Sequence, residues 1–356
     1  MKLVIFGLSI SSSWGNGHAT LWRGLCRALI ARGHDVEFFE RDVPYYAAHR
    51  DMIKMPGLGL HLYTSWNDIS RDAARHLKEA DVAMVTSYCP DALNAAEMMF
   101  SSSAGLKTFY DLDTGVTLNR LAAGERVDYI GARGLADFDL VFSYTGGQAL
   151  QQLQNKLGAR RVLPLYGSVD PRNHYPVEPA DVFRADLSYL GTYAEDRQAA
   201  LETLFVEAAR RLPQARFVIG GAMYPAGFPW TKNIFFVHHL PPSDHPAFYC
   251  SSRLTLNVTR RPMADMGFCP SGRLFEAAAC GVPIVSDWWE GLDQFFEPGR
   301  EILIARTTDD VLHAIRHADL RSIGKQALDR ALACHTAEIR AVEFETAVQA
   351  SAAVEA

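Results

Sequence analysis

A histidine at the mouth of one helix, a glutamate one turn into another and three arginines beyond apolar runs are the side chains of this sequence most suited to chemistry. His18 stands in "GNGHAT", after the apolar run "KLVIFGL" and a Ser-rich loop. Gly15-x-Gly17 between a strand and a helix has the form of a phosphate cradle, because free backbone N–H groups at a helix start attract anions. The same helix dipole disfavours an imidazolium, so a neutral His18 is suited to take a proton from a hydroxyl. General-base catalysis of that kind contributes typically ~10²–10⁴-fold. The plainer alternative is that His18 caps the helix or touches phosphate.

The second group lies in "PSGRLFEAAACGVPIVSD", residues 270–287. Pro270, Ser271 and Gly272 suit a helix start, the alanines allow close packing, and Gly281 ends the helix. Arg273 falls in the first turn. Glu276 follows one turn in, where a carboxylate can hold two vicinal hydroxyls as acidic residues hold ribose. A diphosphate also needs cations. Arg197 follows the tight turn Gly191–Thr192 in "LGTYAEDR", and Arg260 closes "LNVTR". A guanidinium fork matches phosphate oxygens and stays charged. Taken singly, each arginine would more simply be a surface ion-pair partner, and Glu276 a solvated helix residue. Arg260, directly after an apolar strand, is the strongest of the three arginines.

These residues need elements to position them. Strand-like runs alternate with helical patterns almost from end to end: "KLVIFGL", "DVEFFE", "DVAMVTSY", "LKTFYDL", "FDLVFSY" and "RVLPLY", then "DLSYLGTY", "RFVIGG", "NIFFVHHL", "LTLNVTR", "PIVSDW" and "EILIAR". Runs apolar on both faces, each followed by a helix, indicate parallel sheets covered on both sides. Between the halves, "SVDPRNHYPVEPADVF" carries three prolines and reads as a linker. The expected fold is α/β: two Rossmann-like, doubly wound parallel-sheet domains facing a cleft. The expected divisions are an N-terminal acceptor domain over 1–170, a donor domain over 171–325, and a terminal helix over 326–356 packing back on the first domain. Ligands in such sheets bind beyond the carboxyl ends of the strands.

Bulk properties narrow the class. At 356 residues two domains are the default. The net charge of −6 without a basic block gives no footprint for nucleic acid. No window approaches the ~20 apolar residues of a membrane span. Six scattered cysteines with no C-x-x-C pair fit a reducing cytoplasm rather than a disulfide framework or zinc site.

The segment around Glu276 resembles the donor signature of GT-B glycosyltransferases, an E-A-x-A-x-G-x-P run that binds a nucleotide sugar. With "FYDLDTGVTL", "YTGGQAL", "LPLYGSVDP", "LGTYAEDRQ", "LNVTR" and "SGRLFEAAACGVPIVSDWWEGLDQFF", the chain is similar over nearly its whole length to the CgeB-like, spore-maturation-type glycosyltransferases. The resemblance implies a sugar transferase that moves a hexosyl group from a nucleotide-diphosphate sugar, UDP or dTDP favoured, to a hydroxyl. It implies no metal and no cofactor beyond that co-substrate. It places Glu276 on the ribose and Ser271–Gly272 against the diphosphate. Likeness to inverting His–Asp members makes Asp111 of "YDLDTG" the partner of His18. Retaining relatives carry a second Glu eight residues before the ribose Glu, where this chain has Phe268; either Asp265 takes over its hydrogen bonds to the sugar or the site works differently, so retention and inversion both stay open. The acceptor and the oligomeric state are not assigned.

Other readings compete. Asp111 and Asp113 spell a possible Asp-x-Asp metal site, but the two-domain rhythm argues against the fold that uses one. A dehydrogenase would have G-x-G-x-x-G right at the strand end; here the third position is Thr20 and the loop is long, although Glu40 could mimic a ribose acid. That reading leaves the Glu276 cluster without a role. An epimerase on the same scaffold, or a catalytically dead nucleotide-sugar-binding protein of a cell-surface assembly system, remains as an alternative. Among aromatics in expected loops (Trp14, Trp66, Tyr88, Trp288 and Trp289), the Trp288–Trp289 pair is the one expected near the cleft.

Overall fold

The structure, a computed structural model, describes residues 1–317 and 319–355. The chain forms two compact units. One comprises Met1–Tyr166 with the segment starting at Ala337, the other Gly167–Thr336.

The first unit is built on β1 (Lys2–Gly7), β2 (Asp35–Arg41), β3 (Leu58–Tyr63), β4 (Val82–Thr86), β5 (Leu106–Asp111), β6 (Leu140–Ser143) and β7 (Val162–Pro164). They form one parallel sheet in the order β3-β2-β1-β4-β5-β6-β7. The chain winds outward from β1 to β3 and then returns beside β1, which creates a switch point between β1 and β4. Every residue of β4 is buried, as a strand covered by helices on both faces requires.

The second unit repeats the plan with β8 (Leu187–Leu190), β9 (Phe217–Gly221), β10 (Ile234–His238), β11 (Thr255–Asn257), β12 (Ile284–Ser286) and β13 (Leu303–Ile304). The order β10-β9-β8-β11-β12-β13 is again all parallel, with its switch point between β8 and β11.

The strand β3 was not anticipated. Its sequence "LGLHLY" lacks the long apolar run of its neighbours because it is an edge strand, only half-buried over most of its length.

The proline-rich segment is not a free tether. Val169 forms a parallel bridge with Thr336, and Asp170 and His174 are buried within the second unit. By this division residues 167–170, read with the first domain, pack with the second. Residues 326–336, read with the terminal helix, do so too. Residues 326–334 belong to the helix Leu320–Cys334, in which a Cβ on Gly324 would lie 2.4 Å from the Gly281 carbonyl oxygen. The final helix, Ala337–Glu355, belongs to the first unit. There Phe344 packs on Phe142 at 5.3 Å, and Glu345 binds Arg32 and His34 at 2.6 and 2.5 Å. Residue 356 lies outside the described residues.

Candidate functional site

In the second unit the polar residues gather where β8 and β11 end. Ser271 caps the helix Gly272–Ala279, its hydroxyl accepting from the Arg273 N–H. The Arg273 side chain then reaches across the switch point. Its Nε donates to the Leu190 carbonyl at the end of β8, and its Nη1 donates to Asn257 Oδ1 at the end of β11, 2.8 Å away. Asn257 is itself oriented, since its amide donates to Ser286 Oγ at 2.9 Å. Beside it, the half-buried Asp287 accepts from the Thr259 N–H at 3.0 Å and from its hydroxyl at 3.1 Å. Burial raises the Asp287 carboxyl above the usual range, and the Thr259 and Ser286 hydrogen bonds oppose that rise.

Arg197 converges on the same place. Its Nη1 donates to the Tyr189 hydroxyl at 3.2 Å and its Nη2 to the Thr192 carbonyl at 3.0 Å, while its buried Nε has no partner. The Arg273 guanidinium lies 5.0 Å from the centre of the Tyr189 ring. Gly191 sits between them: a Cβ there would lie 2.7 Å from Arg273 Nη2 and 2.8 Å from the Tyr189 hydroxyl. The turn after β8 is therefore glycine because the Arg273 guanidinium and the Tyr189 ring crowd it. Tyr224 completes the turn by donating to the Gly191 carbonyl at 3.0 Å.

Arg260, expected to be the strongest arginine, is instead held by Asp196. Its Nε and Nη2 lie 2.9 and 2.8 Å from one carboxylate oxygen. It caps the helix Arg261–Met266 rather than ending the strand, because β11 stops at Asn257.

Glu276 is mostly buried and faces two histidines. Its Oε2 is 4.0 Å from His174 Nε2 and 3.8 Å from His245 Nδ1. Burial pushes both imidazoles down to about 4, so both are neutral at neutral pH. His174 comes from the proline-rich segment and His245 from the helix His245–Cys250. Neither was singled out in the sequence, where isolated histidines carry no spacing signal. Asn257 and Tyr189 had a weak one, as polar groups near the ends of apolar strands.

Phe268 occupies the left-handed region, with φ at +47°, and its N–H donates to the Glu290 carbonyl at 2.6 Å. Asp265 forms an ion pair with Arg261 at 2.8 Å, with both side chains exposed. Asp265 is thus spent on a surface ion pair, and position 268 itself carries no carboxylate. Trp289 is core, 2% exposed, whereas Trp288 is surface-facing with Arg306 at 5.9 Å. Trp14 stacks on His49 at 4.0 Å, and Trp66 opens the helix Trp66–Lys78 against Phe6.

In the first unit, Asn16 caps the helix Gly17–Ala31 by accepting from the His18 N–H. Gly15 has φ of +59°, a turn that an L side chain rarely adopts, and Gly17 is open, with nothing within 4 Å of a Cβ built there. Glu40 is fully buried and both its oxygens are spent on the same loop. Oε2 accepts the Ile10 and Ser11 N–H groups at 2.8 and 2.9 Å, and Oε1 the Ser9 and Ser11 hydroxyls at 2.9 and 2.6 Å. A carboxylate so occupied is a loop anchor. It has no oxygen left for a ribose, which removes the residue the dehydrogenase reading needed.

The acid beside His18 is Asp113, with Oδ2 3.6 Å from His18 Nε2. Asp111 is turned into the protein. Its Oδ1 accepts the Asp113 N–H and the Thr117 hydroxyl, each at 3.1 Å, while its buried Oδ2 has no partner. Burial pushes Asp111 up to about 7, against the lowering effect of those hydrogen bonds. Two positions apart on a strand would share a face, but β5 ends at Asp111 and Asp113 already caps the helix Thr114–Ala122. The expected His18–Asp111 pairing is therefore replaced by His18–Asp113.

Among the described residues two groups have metal-ligand geometry: His174, His245 and Glu276 in the second unit, and Glu37, His61 and His76 in the first. No described helix is long and apolar enough to cross a membrane.

Residues 197–346 match a family described as glycosyl transferase-like, a stretch that includes Arg197, Arg260, Ser271, Arg273 and Glu276. No curated protein sequence matches the chain. Solved structures are similar over nearly the whole length. The sucrose-phosphate synthase of Thermosynechococcus elongatus has 15% identity and a TM-score of 0.72, covering 99% of this chain and 100% of the other. HepE of Anabaena, in complex with UDP and glucose, has 13% identity and a TM-score of 0.68, covering 98% and 100%. The catalytic domain of starch synthase IV from Arabidopsis thaliana, bound to ADP and acarbose, has 12% identity and a TM-score of 0.68, covering 99% of each. The fold is thus the two-domain parallel-sheet α/β fold of GT-B glycosyltransferases.

Proposed function

We propose that this protein is a glycosyltransferase that takes its sugar from a nucleoside-diphosphate sugar. The observation that carries the reading is the convergence of Arg273, Arg197, Gly191 and the capped start of the helix Gly272–Ala279 on the β8/β11 switch point. Oriented N–H groups and guanidiniums there favour a pyrophosphate, and Glu276, one turn on, suits the two ribose hydroxyls. When the bond from the anomeric carbon to the diphosphate oxygen breaks, negative charge grows on the departing nucleoside diphosphate. Fixed cations and dipoles stabilise that charge more than the ground state, which lowers the barrier.

The acceptor's oxygen forms the new bond and its proton must leave. His18 Nε2 takes it, and the Asp113 carboxylate beside that nitrogen stabilises the resulting imidazolium. A phenylalanine at 268 and an exposed Asp265 paired with Arg261 support an inverting transfer. The motifs in both halves support the CgeB-like family and a UDP or dTDP donor. The scattered free cysteines support a cytoplasmic protein.

A thermal-shift panel of UDP-, dTDP-, GDP- and CMP-sugars, with and without chelator, tests the donor class. A ligand at ~100 times its Kd adds ~2.7 kcal/mol of apparent stability. A shift by one nucleotide family supports the reading, and no shift by any of them removes it.

A further inference from the structure

The donor and base residues do not use the cluster at the outer edge of the first unit's sheet. Glu37 on β2, His61 on the edge strand β3, and Asp72 and His76 on the helix Trp66–Lys78 meet there. Glu37 faces one nitrogen of each ring, with Oε2 2.6 Å from His61 Nε2 and Oε1 3.5 Å from His76 Nδ1. Asp72 faces the other nitrogens, 3.4 Å from His61 Nδ1 and 3.9 Å from His76 Nε2. Ligating histidines characteristically turn their second N–H to a carboxylate, and here one acid stands on each side of the pair.

Two further observations point to a ligand. The His76 side chain is only 8% exposed, yet its Nδ1, aimed at Glu37, has no hydrogen-bond partner. The Glu37 carboxylate also lies over Gly59, where a Cβ would fall 1.7 Å from Oε2, so the strand register reserves that space for the acid. Phe39 stacks on His61 at 4.3 Å and fixes the ring's plane.

We propose that Glu37 Oε, His61 Nε2 and His76 Nδ1 bind a divalent transition-metal ion, with Zn²⁺ the best match, and that Asp72 orients the two imidazoles. Two imidazoles and a carboxylate suit Zn²⁺, which takes nitrogen at ~2.0–2.1 Å and carboxylate oxygen at ~2.0–2.2 Å; Mg²⁺ and Ca²⁺ prefer all-oxygen sites. Water fills the fourth position. Loading moves each ring's proton from the metal-facing nitrogen to the one facing Asp72, so both rings change tautomer and stay neutral. Arg75, now 3.0 Å from His76 Nε2 and 66% exposed, swings into solvent as that nitrogen gains its proton. The ion ties the edge strand, its neighbour and the helix together. It is a clamp on the fold and takes no part in sugar transfer.

The test is calorimetric titration of ZnCl₂ into the full chain carrying His174→Ala and His245→Ala, which silences the other histidine group. One equivalent should bind, Tm should rise by roughly 5 °C or more at saturation, and Asp72→Asn should weaken binding roughly 10–100-fold. Adding His61→Gln or His76→Gln should abolish binding. Should these variants fail to fold, long-range ¹⁵N spectra of histidine-labelled wild-type protein decide the matter: His61 Nε2 and His76 Nδ1 must shift on Zn²⁺ addition. The proposal is overturned by the absence of saturable binding, by binding that survives both substitutions, or by ring nitrogens that do not move.

Discussion

Arg273 Nη1 donates to Asn257 Oδ1 at 2.8 Å, so the first turn of the Glu276 helix is tied to the end of β11. With its Nε on the Leu190 carbonyl, the same side chain spans the two strands between which the order of winding reverses. Its guanidinium is fixed before any ligand arrives, and preorganised charge of this kind is what a departing diphosphate requires.

The arginines should therefore rank in a particular order. Arg273→Ala and Arg197→Ala should each weaken nucleoside-diphosphate binding roughly 10–100-fold, the scale of a lost charge-assisted hydrogen bond. Arg260→Ala should cost less, because Asp196 already takes both of its near nitrogens. Isothermal titration of the three variants with one nucleoside diphosphate checks the order.

Glu276→Gln should act on the ribose alone. Wild-type protein should prefer a ribonucleotide sugar over its 2′-deoxy counterpart, because a buried carboxylate is left without its hydroxyl partner when the 2′-OH is missing. The variant should lose most of that preference while retaining the diphosphate contribution. Competition binding of the two nucleotides against both proteins measures this directly.

Gly191→Ala should cripple donor binding with little loss of fold. The added methyl must displace either the Arg273 guanidinium or the Tyr189 hydroxyl, both under 3 Å away. Overpacking of this kind costs about 1–3 kcal/mol. Urea unfolding should show a loss of that size, and titration a much larger relative loss of nucleotide affinity.

His18→Ala should lower turnover by ~10²–10⁴-fold and leave donor affinity close to wild type. Asp113→Asn should also slow transfer, since the imidazolium loses its carboxylate neighbour. Asp111→Asn should spare transfer and instead alter the pH dependence of stability. The folded protein holds the Asp111 proton up to about pH 7, whereas an unfolded carboxyl releases it near ~3.9. Stability from this group is present below the unfolded value and is lost as pH rises through the folded one, on the order of 4 kcal/mol in all. Unfolding of wild type and Asp111→Asn at about pH 5 and about pH 8 should show a smaller drop in the variant.

Much of this organisation is legible in the chain itself. Strands of a parallel sheet announce themselves as apolar runs, so twelve of the thirteen strands among the described residues stand out in the sequence; β3 does not, because glycine and histidine interrupt "LGLHLY". The Glu276 helix is equally visible, because its cap, its alanines and its glycine stop are local features. The side chains that depend on tertiary approach are not visible. Asp113 rather than Asp111 meets His18 because the strand ends between them, a boundary that alternation cannot locate. Arg260 is claimed by Asp196, sixty-four positions away, and His174 and His245 reach Glu276 from two separate segments.

Where a pyrophosphate is gripped is measured most directly by a crystal structure of the protein soaked with UDP-glucose. Diphosphate density between Gly191, Arg197 and Arg273, with the ribose hydroxyls on Glu276, is the predicted result. Density for the nucleotide at Gly15–Gly17 instead, or an empty β8/β11 switch point at saturating ligand, would contradict it.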